Sequence, residues 1–227
     1  FTVDEEIIIT ARIIGVETSR VYAEIEKGSL AGKLSPVVES LAQKVAKNIA
    51  TNASTMIGSE TAPLEDAITK LKAELKGKKL PTISVAVIET YSNISIPDPA
   101  SETEMIYILK GSGFEVYDEG KKSLSDWARG YLEDNKIGMP QYTTAEVLII
   151  GEAIGEFATR RDELVSCKGR VEFRAINPKD GKILAIDRKT KTAVDLSAQI
   201  ASKTAIQEAT ADIASDFIAR LVEEWNK

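Results

Sequence analysis

The stretch Arg174-Ala-Ile-Asn-Pro-Lys-Asp-Gly-Lys-Ile-Leu-Ala-Ile186 repeats, at an offset of 162 residues, the stretch Arg12-Ile-Ile-Gly-Val-Glu-Thr-Ser-Arg-Val-Tyr-Ala-Glu24. Arg, Ile and Ala match in place, a turn falls at the same point, and the apolar positions largely agree. At the same offset Ser35 meets Ser197, and each opens a long amphipathic helix. A fixed offset between similar segments marks repeated architecture. In the later copy, Asn177-Pro-Lys-Asp-Gly181 is a turn with a mechanism: Pro fixes one dihedral and Gly permits a positive one. The flanks 164–176 and 182–188 therefore read as hairpin strands. The segment 197–225 reads as a closing helix, with Ile206, Ala209, Ile213, Phe217 and Leu221 at helical spacing and Trp225 on the same broad side. This face packs on a sheet. Alanine flanks (Ala205, Ala211, Ala214, Ala219) permit close helix approach, which also suits subunit packing.

Upstream of that hairpin, Ile83–Ile88 is a short apolar strand. The loop 90–99 follows, and Ser101-Glu-Thr-Glu104 reads as a capping box opening a helix to Lys110. Gly111-Ser-Gly113 ends it, and Phe114–Tyr117 returns as a strand. A second helix covers 123–135, with Leu124, Trp127, Ala128 and Leu132 on one side. Val147–Ile150 lacks alternation and reads as a strand buried on both faces. The order β-α-β-α-β-β-β-α predicts a mixed-sheet α/β sandwich over residues 81–227.

Residues 1–58 hold only a partial second copy of this module, a β-hairpin plus a long helix. The strands are 6–14 and 20–25, joined by a turn around 16–19. Ser35-Pro36 supplies an N-cap with proline at the first helical position. Leu41, Val45, Asn48 or Ile49, and Asn52 or Ala53 follow at helical spacing, with Val38, Ala42 and Ala46 widening the apolar face. Between the copies, 59–80 forms a linker helix whose Leu64, Ile68, Leu71 and Leu75 make one stripe, closed by Gly77. One apolar stripe on a charged helix predicts docking against a neighbour. The chain starts at Phe1, and we expect upstream residues that complete the first copy and carry a signal or lipid anchor.

Composition narrows function. The chain is 43% hydrophobic and 28% charged with net charge -6, an ordinary globular balance without a basic nucleic-acid footprint. No apolar run approaches the ~20 residues that span a bilayer. Histidine is absent, which excludes Ser-His-Asp and Cys-His catalysis and every histidine metal site. The single cysteine, Cys167, forms no intrachain disulfide and reads as a buried, inert thiol. Gly28-Ser-Leu-Ala-Gly32-Lys33 is one residue short of a phosphate loop and follows a hairpin strand. Gly151-Glu-Ala-Ile-Gly155 is not a dinucleotide fingerprint. Glu152 and Glu156, with Asp162 and Glu163 nearby, have no nucleophile or ligand spacing beside them and read as a solvated edge. We expect no enzyme activity, no cofactor and no metal.

With the module assembled, one family stands out. The strand at 83–88, Ile96-Pro-Asp-Pro-Ala100, Glu102-Thr-Glu104, Gly113-Phe-Glu-Val116, Ala145-Glu-Val-Leu-Ile-Ile-Gly-Glu-Ala153, the Asp180-Gly181 hairpin and the alanine-rich last helix together resemble bacterial CsgG-like domains. That group includes the curli-secretion channel subunit, the penicillin-binding-protein activator LpoB and the amino-terminal domain of TolB. The resemblance covers 81–227, and 6–58 in part. It implies non-enzymatic envelope proteins, often lipoproteins, that bind protein partners or assemble as homo-oligomers in the periplasm or at the outer membrane. This chain lacks the long amphipathic insertions of the curli channel, which points to a scaffold or adaptor rather than a pore.

The loop 91–103 is the expected partner contact, through Asn93, Ile96, Pro97, Asp98, Pro99 and Glu102. A long connection after a strand, with two prolines flanking Asp98, presents a pre-ordered polar surface at the sheet's edge. The alternative is a small-molecule or nucleotide-binding α/β module, using clefts at the carboxyl ends of 83–88 and 147–150.

Overall fold

A computed structural model describes residues 2–3, 6–15, 21–56, 64–91, 94–95, 99–118, 121–133, 137–140 and 143–227. The chain divides into two units, residues 1–60 and 61–227.

The first unit contains β1 (Thr2–Val3), β2 (Glu6–Ile14), β3 (Val21–Ser29) and the helix α1 (Leu34–Met56). The strands form an antiparallel sheet in the order β1-β2-β3, with Ile7 opposite Gly28 and Ile14 opposite Val21. Strand side chains alternate between faces, and α1 lies on the face that carries Glu24, Glu26 and Gly28. Its contacts there are largely polar. Asn48 donates to Glu24 at 2.6 Å, Ser40 donates to Glu26 at 3.0 Å, and Lys44 pairs with Glu26 at 2.7 Å. These hydrogen bonds, from Lys44 first and then Ser40, hold the Glu26 carboxyl below its ordinary pKa. Gly28 leaves room for the Val37 side chain, which a Cβ would strike. Among the described residues of this unit, Leu41 and Met56 are the buried large apolar side chains, at 8% exposure each. The wider apolar face expected on α1 is overturned: Val38, Ala42 and Ala46 are exposed, because α1 turns Leu41, Asn48 and Asn52 to the sheet instead.

The second unit begins with α2 (Leu64–Glu74). Its Ile68 and Leu71, with Leu75 just beyond, enter that unit's main core. The helix read as a linker is thus part of the second unit. Gly77, at φ 83°, turns the chain out of it. The sheet is built from β4 (Ile83–Tyr91), β5 (Ile94–Ser95), β6 (Val147–Arg161), β7 (Leu164–Ile176) and β8 (Ile183–Asp195), in the order β5-β4-β6-β7-β8. β4 and β6 are parallel, from Ile83–Val147 to Tyr91–Gly155, and every other pairing is antiparallel. This is the expected mixed, open sheet. The helices α3 (Ala100–Gly111), α4 (Lys121–Glu133) and α5 (Ala198–Trp225) complete the unit.

Parity along the strands assigns the two cores. Ile83, Val87, Val147, Ile149, Ala153, Val171, Phe173 and Ala175 face α2, α3 and α5. Ala86, Leu148, Ile150 and Ile176 face Leu124 and Ala128 of α4. β6 and β8 run well beyond the apolar runs that announced them, because backbone pairing with β7 continues where side-chain burial stops. The strand expected at 114–117 shrinks to a single parallel bridge, Val116 to Ile83. The hairpin turn behaves as read: Gly181 takes φ 74°, its N–H bonds to Asn177 O at 2.8 Å, and the Asn177 side chain accepts from Lys179 N–H.

Candidate functional site

α3 and β4 are joined by an exchange of carboxylates that the sequence does not announce. The capping-box reading of Ser101–Glu104 is overturned. Pro99 occupies the N-cap without a side-chain cap, and Glu89, buried on β4, accepts the Ser101 N–H at 3.0 Å instead. Glu102 reaches the other way and accepts the Val87 N–H at 3.0 Å on the outer edge of β4. Each element thus satisfies an orphan donor of the other. The Thr210 hydroxyl donates to Ile206 O, so its oxygen receives the Ser101 hydroxyl at 2.8 Å. Glu104 accepts from Gln207 at 2.7 Å. The first turn of α3 is therefore bolted to β4 and α5 by polar groups, with no solvent-facing chemistry.

Of the six expected contact residues, Pro99 and Glu102 are buried, and Glu102 is turned into the fold by its bond to Val87. Asn93, Ile96, Pro97 and Asp98 lie outside the described residues. We expect Glu102→Ala to cost about 1–3 kcal/mol, since it strands a buried N–H. Glu102→Gln, which keeps an acceptor, should lose less in a urea titration.

A surface does emerge on the opposite side. α5 covers one sheet face along its length, but α4 covers only the start of the other. Beyond it, β6 presents Glu152 and Glu156, β7 presents Lys168 and Arg170, and β8 presents Ile186, Arg188 and Thr190, all exposed. The register opposes Glu156 to Lys168 and Glu172 to Arg188, and Arg170 pairs with Glu172 along its own strand. An open depression of about 410 Å³ is lined by Arg170, Arg188, Lys189 and Thr190. On the helix side of β8 the alternate residues are committed to α5, with Asp187 on Arg220 and Lys191 on Asp212 at 2.7 Å. Sequence reading placed Glu152 and Glu156 on a solvated edge; at Glu152 β6 pairs on both sides, with Ile88 and Glu172, whereas at Glu156 it has run past β4 and pairs with β7 alone.

A cavity of about 280 Å³ lies between α3, the 116–118 segment and α4, lined by Val85, Glu102, Ile106, Lys110, Val116, Tyr117, Asp118 and Leu124. It adjoins the first half of β4, not the carboxyl ends where a ligand cleft was expected. Tyr117 donates to Glu115 at 2.7 Å, and that carboxylate raises the phenol's pKa. Among the described residues no group of three or more Asp, Glu, Cys or His converges for a metal. Cys167 is fully buried, donates to Ala198 O at 3.3 Å, and has its pKa pushed up by burial. A thiol so placed stays protonated and unreactive near neutral pH. Among the described residues no helix is long and apolar enough to cross a membrane.

The fold defines a mixed-sheet α/β module held by apolar cores and by the buried carboxylates Glu89 and Glu102 that join α3 to β4. Residues 82–218 match the family described as TP0693-like lipoprotein, C-terminal domain, and the chain belongs to that family. It is thus a member of a lipoprotein family of bacterial envelope proteins. No curated protein matches it. Solved structures with a similar course include the hypothetical protein CT253 from Chlamydia trachomatis, 11% identical at TM-score 0.43 over 62% of this chain and 98% of that one. Lipoprotein GNA1162 from Neisseria meningitidis is 11% identical at TM-score 0.33, over 51% and 85% of the two chains. PelC from Paraburkholderia phytofirmans, solved as a dodecamer, is 14% identical at TM-score 0.35, over 59% and 86%. At these scores the likenesses transfer nothing to this chain.

Proposed function

We propose that this protein is a non-catalytic scaffold or adaptor of the bacterial envelope, periplasmic or tethered at the outer membrane by a lipid anchor, and built from CsgG-like modules. It works by binding protein partners through the uncovered half of its second sheet face. The observation that carries this is the alternation in the middle of β8, where Asp187, Lys189 and Lys191 are tied to α5 while Ile186, Arg188 and Thr190 stand exposed beside Lys168 and Arg170. A rigid, mixed-charge surface with isolated apolar residues such as Ile186 has the make-up of an interface rim. Membership of a lipoprotein family supports the location.

The test is a photo-cross-linking residue at Thr190 in cells producing the full-length protein. A discrete adduct with another envelope protein is expected, and Arg170→Glu with Arg188→Glu should abolish it. No adduct, or an equal yield from the exposed Lys72 position, would sink the proposal. The second reading, a small-molecule module, is favoured only by the cavity beside Val85, whose volume of about 280 Å³ falls just below the ~300–1,000 Å³ of ligand sites. A thermal-shift screen with nucleotides, sugars and peptidoglycan fragments that stabilises nothing would remove it.

A further inference from the structure

The outer edge of β4 is covered at both ends and open in the middle. At Ile83 it exchanges backbone hydrogen bonds with Glu115 and Tyr117, at Val87 its N–H goes to Glu102, and at Thr90 and Tyr91 it pairs with β5. Val85 lies between these. Val147 N–H bonds to Thr82 O, so the even-numbered residues of β4 turn their backbone groups to β6 and the odd-numbered ones turn theirs outward. The N–H and C=O of the half-buried Val85 therefore face the outer edge, where no group among the described residues takes them. The chain that bridges Ile83 leaves the edge just beyond it, because the Ser84 hydroxyl holds Tyr117 O at 3.0 Å on the α4 side. The cavity of about 280 Å³ opens at this gap. An unpaired donor and acceptor on a sheet edge are a template for one more residue of strand.

We propose that this gap binds a short peptide with both ends free, whose middle residue pairs antiparallel with Val85. In an antiparallel hydrogen-bonded pair one residue exchanges both bonds with its partner, which is what Val85 offers. The charges set the direction. α3 runs back along β4, with Glu102 at Val87, and its Glu102, Ile106 and Lys110 line one wall of the cavity. Eight helical residues rise about 12 Å and four strand residues about 13 Å, so Lys110 comes to the Ile83 end. A ligand carboxylate belongs at the exposed Lys110 and an ammonium at the Glu102 end, which is the antiparallel sense. Asp118 adds a second negative group to the lining and favours a ligand that carries a cation as well as an anion. Val116 and Leu124 make the remaining walls apolar, suited to small aliphatic side chains. Three residues, at most about 10 Å when extended, fit between the two ends. Main-chain pairing supplies the affinity in such a mode, and the pocket around it the specificity. The inference deepens the small-molecule reading by naming its ligand, and it leaves the sheet face invoked for partners untouched.

The probe is trialanine, titrated into the isotope-labelled full chain and followed by amide NMR. A saturable shift of the Val85 amide is expected. Acetylating the probe's amino end or amidating its carboxyl end should each weaken binding about threefold, the scale of one solvent-accessible ion pair. Lys110→Met should weaken trialanine by the same factor and leave trialanine amide unchanged. Val85→Pro removes the outward N–H without touching the ladder to β6, a place where an edge strand tolerates proline. It should abolish binding, read at the Tyr117 amide. Circular dichroism checks its fold, and the Lys110 comparison stands without it. No saturable shift overturns the proposal. So does a Lys110→Met effect equal for both probes, or binding that survives in a folded Val85→Pro variant. A cavity that takes a nucleotide or sugar in the thermal-shift screen but not trialanine would sink this ligand and keep the small-molecule reading. The Thr190 cross-link is independent of all these results.

Discussion

Gly169→Ala is expected to destabilise the second unit by about 3 kcal/mol or more, at the upper end of overpacking effects. Gly169 lies on β7 beneath α5, and a Cβ there would sit 2.5 Å from the Ala205 carbonyl carbon and 2.8 Å from Ile206 Cα. These are backbone atoms of the helix, so no rotamer change relieves the clash. The helix must lift, and Ala201, Ala205, Ile206 and Ala209, all fully buried, would lose their contacts together. At Gly155, its register partner on β6, a Cβ would instead meet the Ser202 side chain. Both tryptophans, Trp127 and Trp225, belong to the second unit, so urea denaturation followed by tryptophan fluorescence reads that unit alone. Gly138→Ala, with nothing within 4 Å of the new Cβ, is the control and should shift the midpoint little. Equal midpoints for the two variants would mean that α5 does not approach the sheet at Gly169.

Phe217→Ala should cost about 4 kcal/mol, as truncation of a buried phenylalanine does when the cavity cannot collapse. Phe217 and Phe173 are both fully buried, with ring centroids 5.9 Å apart at an interplanar angle of 45°. They join the middle of α5 to the middle of the sheet, where no mobile neighbour can fill the gap. Phe157→Ala is the comparison: that ring is 53% exposed, and its loss should stay within about 0.5 kcal/mol. The same fluorescence titration separates them. A Phe217 variant as stable as the Phe157 variant would refute the packing described for α5.

The sequence pattern exposed different layers of this fold unequally. The closing hairpin and helix were legible because their signals are local. Pro178 and Gly181 constrain the backbone within five residues, and the α5 stripe of Ile206, Ala209, Ile213 and Phe217 repeats with the helix itself. The capping box was misread for the opposite reason. Ser101 and Glu104 have the right spacing to cap each other, but tertiary partners compete for the same atoms. Glu89, far along β4, takes the Ser101 N–H, Thr210 takes its hydroxyl, and Gln207 takes Glu104. Phe114–Tyr117 had strand composition, yet the β4 edge it would have paired with is occupied at Val87 by Glu102.

The candidate surface was harder still. Glu152, Glu156, Arg170 and Arg188 come from three strands, and only their register on one open face makes them a surface. The proline-flanked loop was chosen because loops commonly carry contacts. The two of its residues that can be placed, Pro99 and Glu102, are buried, and Glu102 bonds to the β4 backbone.

Local periodicity and turn chemistry determined from the sequence alone that a mixed α/β module follows a hairpin and a helix. Those signals act over a few residues, so they survive without knowledge of neighbours. Strand order, the assignment of α2 to the second unit and the protection of the β4 edge were decided by tertiary structure. Each depends on which distant group reaches a backbone N–H or an apolar face first. That competition is settled by packing in three dimensions and leaves no periodic trace along the chain.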